Sequence, residues 1–219
     1  MRWIALLVGV GCVTGRRSVA QGRVSGRVTL LEKGGKAPAD LGAAVVYLDG
    51  GATAQPVTVD IAINDKEYVP RVVVVPVGST VRFVNHDPFD HNVFSAEPAF
   101  DLGQYGRGQV RDWTFTTPGL VRVFCSVHPR MVAFVEVIAG RYFTQPAVDG
   151  SFAIAGVPTG RWMLHVWHER SPEVTREMTV ASDGAAGLEL ELDARGFRWM
   201  PHKNKYGRDY PTNAGRERY

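Results

Sequence analysis

The chain has 219 residues, 45% of them hydrophobic and 21% charged, with 25 Lys and Arg against 22 Asp and Glu. This is an ordinary globular composition, long enough for one or two domains, and it excludes a disordered or collagen-like polymer. No apolar run reaches the roughly 18 residues that a membrane-crossing helix needs, so no transmembrane segment is expected.

In chain order, the first element reads as an address. Residues 1–20 (MRWIALLVGVGCVTGRRSVA) place Arg2 before an apolar core and end on the small-residue pattern Ser18-Val19-Ala20. This predicts a secretory signal peptide and a periplasmic or secreted mature chain. Cleavage before Cys12, as in a lipoprotein, is the competing reading, because Gly11 is small. A cut after Ala20 removes three arginines and no acid, which leaves 22 basic and 22 acidic residues. Residues 21–194 then carry 15 basic against 20 acidic residues, and residues 195–219 seven against two. The body is acidic and the C-terminal tail, 194–219, is basic and aromatic. No nucleic-acid partner is expected, since that needs a positive stripe on the fold itself. The same cut leaves Cys125 without a partner for an internal disulfide. A lone thiol in an oxidising compartment needs another explanation, and metal ligation provides one.

Short β-branched runs punctuated by Gly, Pro, Asn and Asp follow at 23–30, 43–48, 57–63, 72–75, 80–84, 110–115, 120–125 and 132–138. They continue at 151–154, 162–167, 175–180 and 188–192. No stretch beyond the leader keeps a helical period, so an all-β sandwich or barrel is expected. Alternation ends at Gly196. The tail is expected either to drape over the fold or to stay mobile, with docking of an acidic redox partner as one use for its charge.

The densest chemistry lies in Cys125-Ser126-Val127-His128-Pro129-Arg130-Met131, a loop between two predicted strands. Thiolate, imidazole and thioether together suit copper in a trigonal site of two His and one Cys with a weak axial Met. Zinc also accepts Cys and His, but Met is a poor ligand for it. A second imidazole must come from elsewhere. His91, which opens a strand after a turn, is the best candidate, whereas His86 reads as a turn residue.

These residues resemble the cupredoxins, the small blue copper proteins of the amicyanin and plastocyanin type. The resemblance covers about residues 55–140. It runs through Pro76-Val77-Gly78-Ser79-Thr80-Val81-Arg82-Phe83-Val84-Asn85, then His91-Asn92-Val93, then Thr117-Pro118-Gly119, then the C-x-x-H-x-x-M loop. It implies imidazole ligands His91 and His128 through their Nδ1 atoms, the thiolate ligand Cys125 and a long axial ligand Met131. Asn92 would tie the two ligand loops together by hydrogen bonds. The implied cofactor is one type 1 copper ion, Cu(II)/Cu(I), with His128 and Pro129 at the electron exit and partner contact. The implied partners are a redox donor and a redox acceptor. Four protein ligands leave no open position for water, so a carrier is expected and not an enzyme. The rival expectations are a copper-holding or copper-delivery protein, and a structural or carbohydrate-binding β-module.

The flanks carry a second pattern. Asp149-Gly150-Ser151-Phe152-Ala153-Ile154-Ala155-Gly156-Val157-Pro158-Thr159-Gly160 resembles the hairpin of the carboxypeptidase regulatory-like, or transthyretin-like, β-sandwich. Residues 22–52 resemble the first strands of the same module. The expected layout is a Greek-key cupredoxin sandwich, 53–140, inserted in or joined to a small Ig-like sandwich made of 22–52 and 141–193. That layout resembles periplasmic proteins of the methylamine-utilisation or plastocyanin-like type.

Overall fold

The computed structural model describes residues 20–35 and 38–211. The leader, Cys12 and residues 212–219 lie outside the described residues. Those described form sixteen strands and one short 3-10 turn, Leu41–Ala43. The first two strands are β1 (Gln21–Leu31) and β2 (Val45–Leu48). Nine follow: β3 (Thr58–Asn64), β4 (Glu67–Val69), β5 (Val72–Pro76), β6 (Ser79–Asn85), β7 (His91–Ala96), β8 (Ala99–Tyr105), β9 (Val110–Phe115), β10 (Gly119–Cys125) and β11 (Val132–Ile138). The last five are β12 (Phe143–Thr144), β13 (Ser151–Pro158), β14 (Gly160–His168), β15 (Ser171–Val180) and β16 (Ala185–Asp193).

Four sheets result. Two are built from the middle of the chain, in the orders β5-β11-β10-β7-β8 and β4-β3-β6-β9. Their shared core holds Ile61, Val75, Phe83, Val93, Phe115, Val123 and Val135, all essentially buried. The other two join the ends of the chain, in the orders β13-β1-β16 and β12-β2-β14-β15. Their core holds Val28, Val46, Leu48, Ile154, Leu164 and Leu192. In each sandwich a crossing strand pairs in parallel: β5 with β11, β3 with β6, and β1 with β16. Such non-consecutive neighbours are crossover connections and not a simple meander.

β11 explains how the sandwiches meet. All seven of its residues are buried. Side chains alternate across a strand, so Ala133, Val135 and Val137 enter the inner core. Val132 and Phe134 face the other way and pack with Val45 and Trp167 of the outer sandwich. A strand covered on both sides reads as a continuous apolar run, and Glu136 is the exception in it. Arg71 adds a link, donating from Nε and Nη2 to the two Glu169 carboxylate oxygens at 2.6 and 2.8 Å.

β4, β8 and β12 are additions to the sequence reading. The β3–β4 turn is made by Asp65 and Lys66, with φ of 53° and 61°. Neither is a residue that advertises this left-handed conformation as glycine does. β8 carries Asp101 and Gly103 and pairs with β7 across a register shift between Asn92 and Phe94. β12 is two residues long.

Candidate metal centre

The site lies at one end of the inner sandwich, where β7 begins and β10 ends. Cys125 is the last residue of β10, and β11 starts after a gap of six residues. Two backbone hydrogen bonds close that short loop. Met131 N–H donates to the His128 carbonyl at 3.2 Å, and Cys125 N–H donates to the Met131 carbonyl at 3.4 Å. The loop is joined to the start of β7 by Ser126 N–H, which donates to the Asn92 carbonyl at 3.2 Å.

Three donor atoms converge there. Cys125 Sγ lies 3.7 Å from His91 Nδ1 and 3.6 Å from His128 Nδ1, and the two nitrogens are 3.2 Å apart. A point equidistant from all three lies about 2.0 Å from each, close to the length of a bond from a metal to imidazole or thiolate. Cys125 and His91 are fully buried, and His128 is half-buried. The Met131 side chain is buried and joins the same apolar cluster as Cys125. Among the described residues this is the one group of three or more His, Cys or acidic side chains close enough to hold an ion. The donor set and its spacing fit copper.

Electrostatics prepare the donors. His91 Nε2 lies 2.8 Å from Asp87 Oδ2. Burial lowers the His91 imidazole pKa, and this outweighs the opposing pull of Asp87. The ring is therefore neutral with its proton on Nε2, directed at Asp87. Nδ1 keeps its lone pair for the centre of the triangle. Burial also pushes the Asp87 carboxyl up, but the Lys66 N–H, His91 and the Asp65 N–H outweigh it and keep the group ionised. Burial pushes the Cys125 thiol up as well, against the pull of the backbone N–H groups of Asn92, Val127 and His128. Unassisted, that sulfur stays protonated at neutral pH, whereas a bound metal ion makes it a thiolate.

The other predicted residues are placed as follows. Asn92 links the two segments through its backbone carbonyl, while its Nδ2 donates to Asp101 Oδ1 at 2.6 Å. His128 and Pro129 border a cleft that Arg130 and Trp199 also line. The Phe89 ring lies 5.7 Å from His128 and 5.3 Å from His91. His86 is exposed, with its N–H donating to the Ile63 carbonyl, as a turn residue does.

The inner sandwich has the site arrangement that the sequence resemblance implies. Its sheets bring a His at the start of one strand to a Cys-His-Met loop between two later ones, in the order that the sequence resemblance requires. The chain is similar to the purple cupredoxin of Nitrosopumilus maritimus, 27% identical over 36% of this chain and 98% of that one, with a TM-score of 0.33. It is similar to a reduced amicyanin variant at 28% identity, over 36% of this chain and 81% of that one, with a TM-score of 0.35. It is also similar to the copper-containing nitrite reductase of Thermus scotoductus SA-01 at 28% identity and a TM-score of 0.37. That match covers 42% of this chain and spans only 25% of the reductase. No family profile and no curated protein matches the chain.

Two parts of the centre lie outside the sequence reading. Asp87 is the first. It accepts the Asp65 and Lys66 N–H groups at 2.7 and 3.0 Å besides facing His91, so one carboxylate fixes both the left-handed turn and the imidazole. Its one signal in sequence is an acid four residues before a candidate ligand. The second is the tail's contact with the ligand loop; of its two expected fates, draping over the fold is the one seen. Through residue 211 it lies on the fold, and the Tyr210 hydroxyl donates to the Cys125 carbonyl at 2.6 Å.

Proposed function

We propose that this chain is a type 1 copper protein that passes single electrons between a donor and an acceptor redox protein. Bound copper would supply the one-electron Cu(II)/Cu(I) couple, at a potential tuned by the axial ligand and the hydrogen bonds around the sulfur. His91, Cys125 and His128 would hold the ion, with Met131 as the weak fourth ligand. The convergence of Nδ1, Sγ and Nδ1 within 3.2–3.7 Å carries this reading.

The protein's own contribution is to keep the donors fixed. Asp87 holds His91 in one tautomer, and the two loop hydrogen bonds hold Cys125 and Met131 in place. A rigid site changes little between oxidation states, so little reorganisation opposes electron passage. Half-buried His128, with Pro129 beside it, is the exit toward a partner.

The proposal includes the layout. Residues 53–140 would be the copper domain, and 22–52 with 141–193 the outer sandwich, followed by the tail. The sheet pairings and the two separate cores support that division. Residues 1–20 would direct the chain to the periplasm or outside the cell. Among the described residues, no helix is long and apolar enough to cross a membrane.

Cyclic voltammetry of the copper-loaded protein tests the function. A reversible one-electron wave at positive potential is expected. Tightly bound copper with no reversible wave would replace the carrier by a copper-holding or copper-delivery protein.

A further inference from the structure

The basic tail is built into the centre. Asn204 folds residues 204–208 into a tight turn: its Oδ1 accepts the Tyr206 and Arg208 N–H groups at 3.0 and 3.1 Å. The Gly207 N–H donates to the Asn204 carbonyl at 2.9 Å, with Gly207 at φ 72°. Four anchors, on both sides of this turn and within it, hold the tail against the body. Arg130 lies 5.2 Å from the centre of the Trp199 ring. The His202 ring stacks on Phe124 at 4.4 Å. Lys205 Nζ meets Asp101 Oδ2 at 2.6 Å. The Tyr210 hydroxyl donates to the Cys125 carbonyl, and its ring meets His202 edge-on at 5.4 Å.

These anchors reach every segment that bears a candidate ligand. Tyr210 holds Cys125 itself, and His202 packs on the residue before it. Trp199 touches Arg130, between His128 and Met131. Lys205 holds Asp101, which accepts the Asn92 side chain next to His91. A solvated tail would not place its charge, stacking and hydrogen-bond contacts on the ligand loop, on the strand that leads into it and on the Asp101 partner of Asn92.

We propose that residues 197–210 are a strap that positions the copper-ligand segments, with Tyr210 as the positioning residue for Cys125. The proposal rests on the copper reading above. The phenol O–H points the positive end of its dipole at the carbonyl beside the ligand sulfur. That dipole favours the less positively charged, reduced state of the centre.

The test uses full-length protein with Tyr210→Phe, His202→Ala, His202→Phe and Lys205→Ala. Alkylation of Cys125 by iodoacetamide in the metal-free chain is read on its own peptide by mass spectrometry. Tyr210→Phe and His202→Ala should alkylate about five- to tenfold faster, since loss of an anchor raises the population of the open state. His202→Phe should stay near wild type, because an aromatic ring can keep the stack. Lys205→Ala should move the same way as Tyr210→Phe but less, and it serves if Tyr210→Phe does not fold. In the copper-loaded protein, Tyr210→Phe should lower the reduction potential. Unchanged alkylation would overturn the strap. Faster alkylation with an unchanged potential would overturn the positioning role and leave Tyr210 a cover. Faster alkylation in a chain that binds no copper would overturn the copper reading and leave the strap standing.

Discussion

His91 and His128 in the inner sandwich turn their Nδ1 atoms to within 3.2 Å of each other, with the Cys125 sulfur completing the triangle. His165 and His168 in the outer sandwich use their nitrogens differently. His165 lies between Asp49 at 2.9 Å and Glu173 at 3.1 Å, and stacks on Tyr47. His168 accepts the Arg170 N–H at 3.2 Å and lies 3.6 Å from Asp40. One carboxylate faces the inner pair and three face the outer one. The difference lies in which nitrogen the acid faces. Asp87 faces the far nitrogen of His91 and leaves the near lone pair free for the centre. At His165 acids face both nitrogens, and no lone pairs converge. Histidine count and acid count alone would rank the outer region first.

Cysteine substitution should break the comparison most strongly. Cys125→Ser removes the thiolate, and with it the rise in thermal stability on adding copper. That rise should be about 4 kcal/mol in wild type when free copper is a thousandfold above Kd. His168→Asn should keep it, and calorimetry with and without copper reads both.

The next effect concerns Glu136, the polar exception in β11. Burial, followed by the negative charge of Glu173, pushes the Glu136 carboxyl up from 4.5 to about 7, while His165 pulls the other way. The folded chain therefore keeps a proton there that the unfolded chain releases. The stability this contributes is fully present below pH 4.5 and is lost as pH rises to about 7. The loss should be on the order of 2–3 kcal/mol. Glu136→Gln should remove that slope and be more stable than wild type at pH 8. Urea denaturation across pH 4–8 measures it, and parallel curves for the two proteins would refute it.

Asp87→Asn should weaken copper binding about 10–100-fold, because the far nitrogen of His91 loses its ionised partner. Competition titration against a chelator of known affinity gives the ratio. The smallest effect is expected at His165→Gln, whose acidic partners are partly exposed. Its stability should change by no more than about 1 kcal/mol, with copper affinity unaltered.

Much of this was legible in the sequence. The β-branched runs fall on strands, and the Cys125–Met131 spacing, read together with His91 and the strands before it, points to the loop that the fold brings to His91. His91 was also identifiable, because it follows a turn and opens a strand. Asp87 was not, since a turn acid carries no periodicity and its value depends on β3, β4 and β7 meeting. The turn at Asp65 and Lys66 gave no glycine signal because a distant carboxylate holds it. Draping of the tail was one of two expectations, but the place where it seats was silent. His202 and Tyr210 acquire meaning only when Phe124 and the Cys125 carbonyl lie beneath them. The parallel pairing of β1 with β16 joins residues more than 150 positions apart, and no local pattern encodes it.

The central claim is that Cys125, His91 and His128 share one copper ion. The visible absorption spectrum of the copper(II)-loaded protein, recorded beside that of Cys125→Ser, tests it most directly. An intense thiolate-to-copper charge-transfer band in the wild type, absent from the variant, is the predicted result. A colourless wild-type complex, or a band that survives in Cys125→Ser, would contradict it.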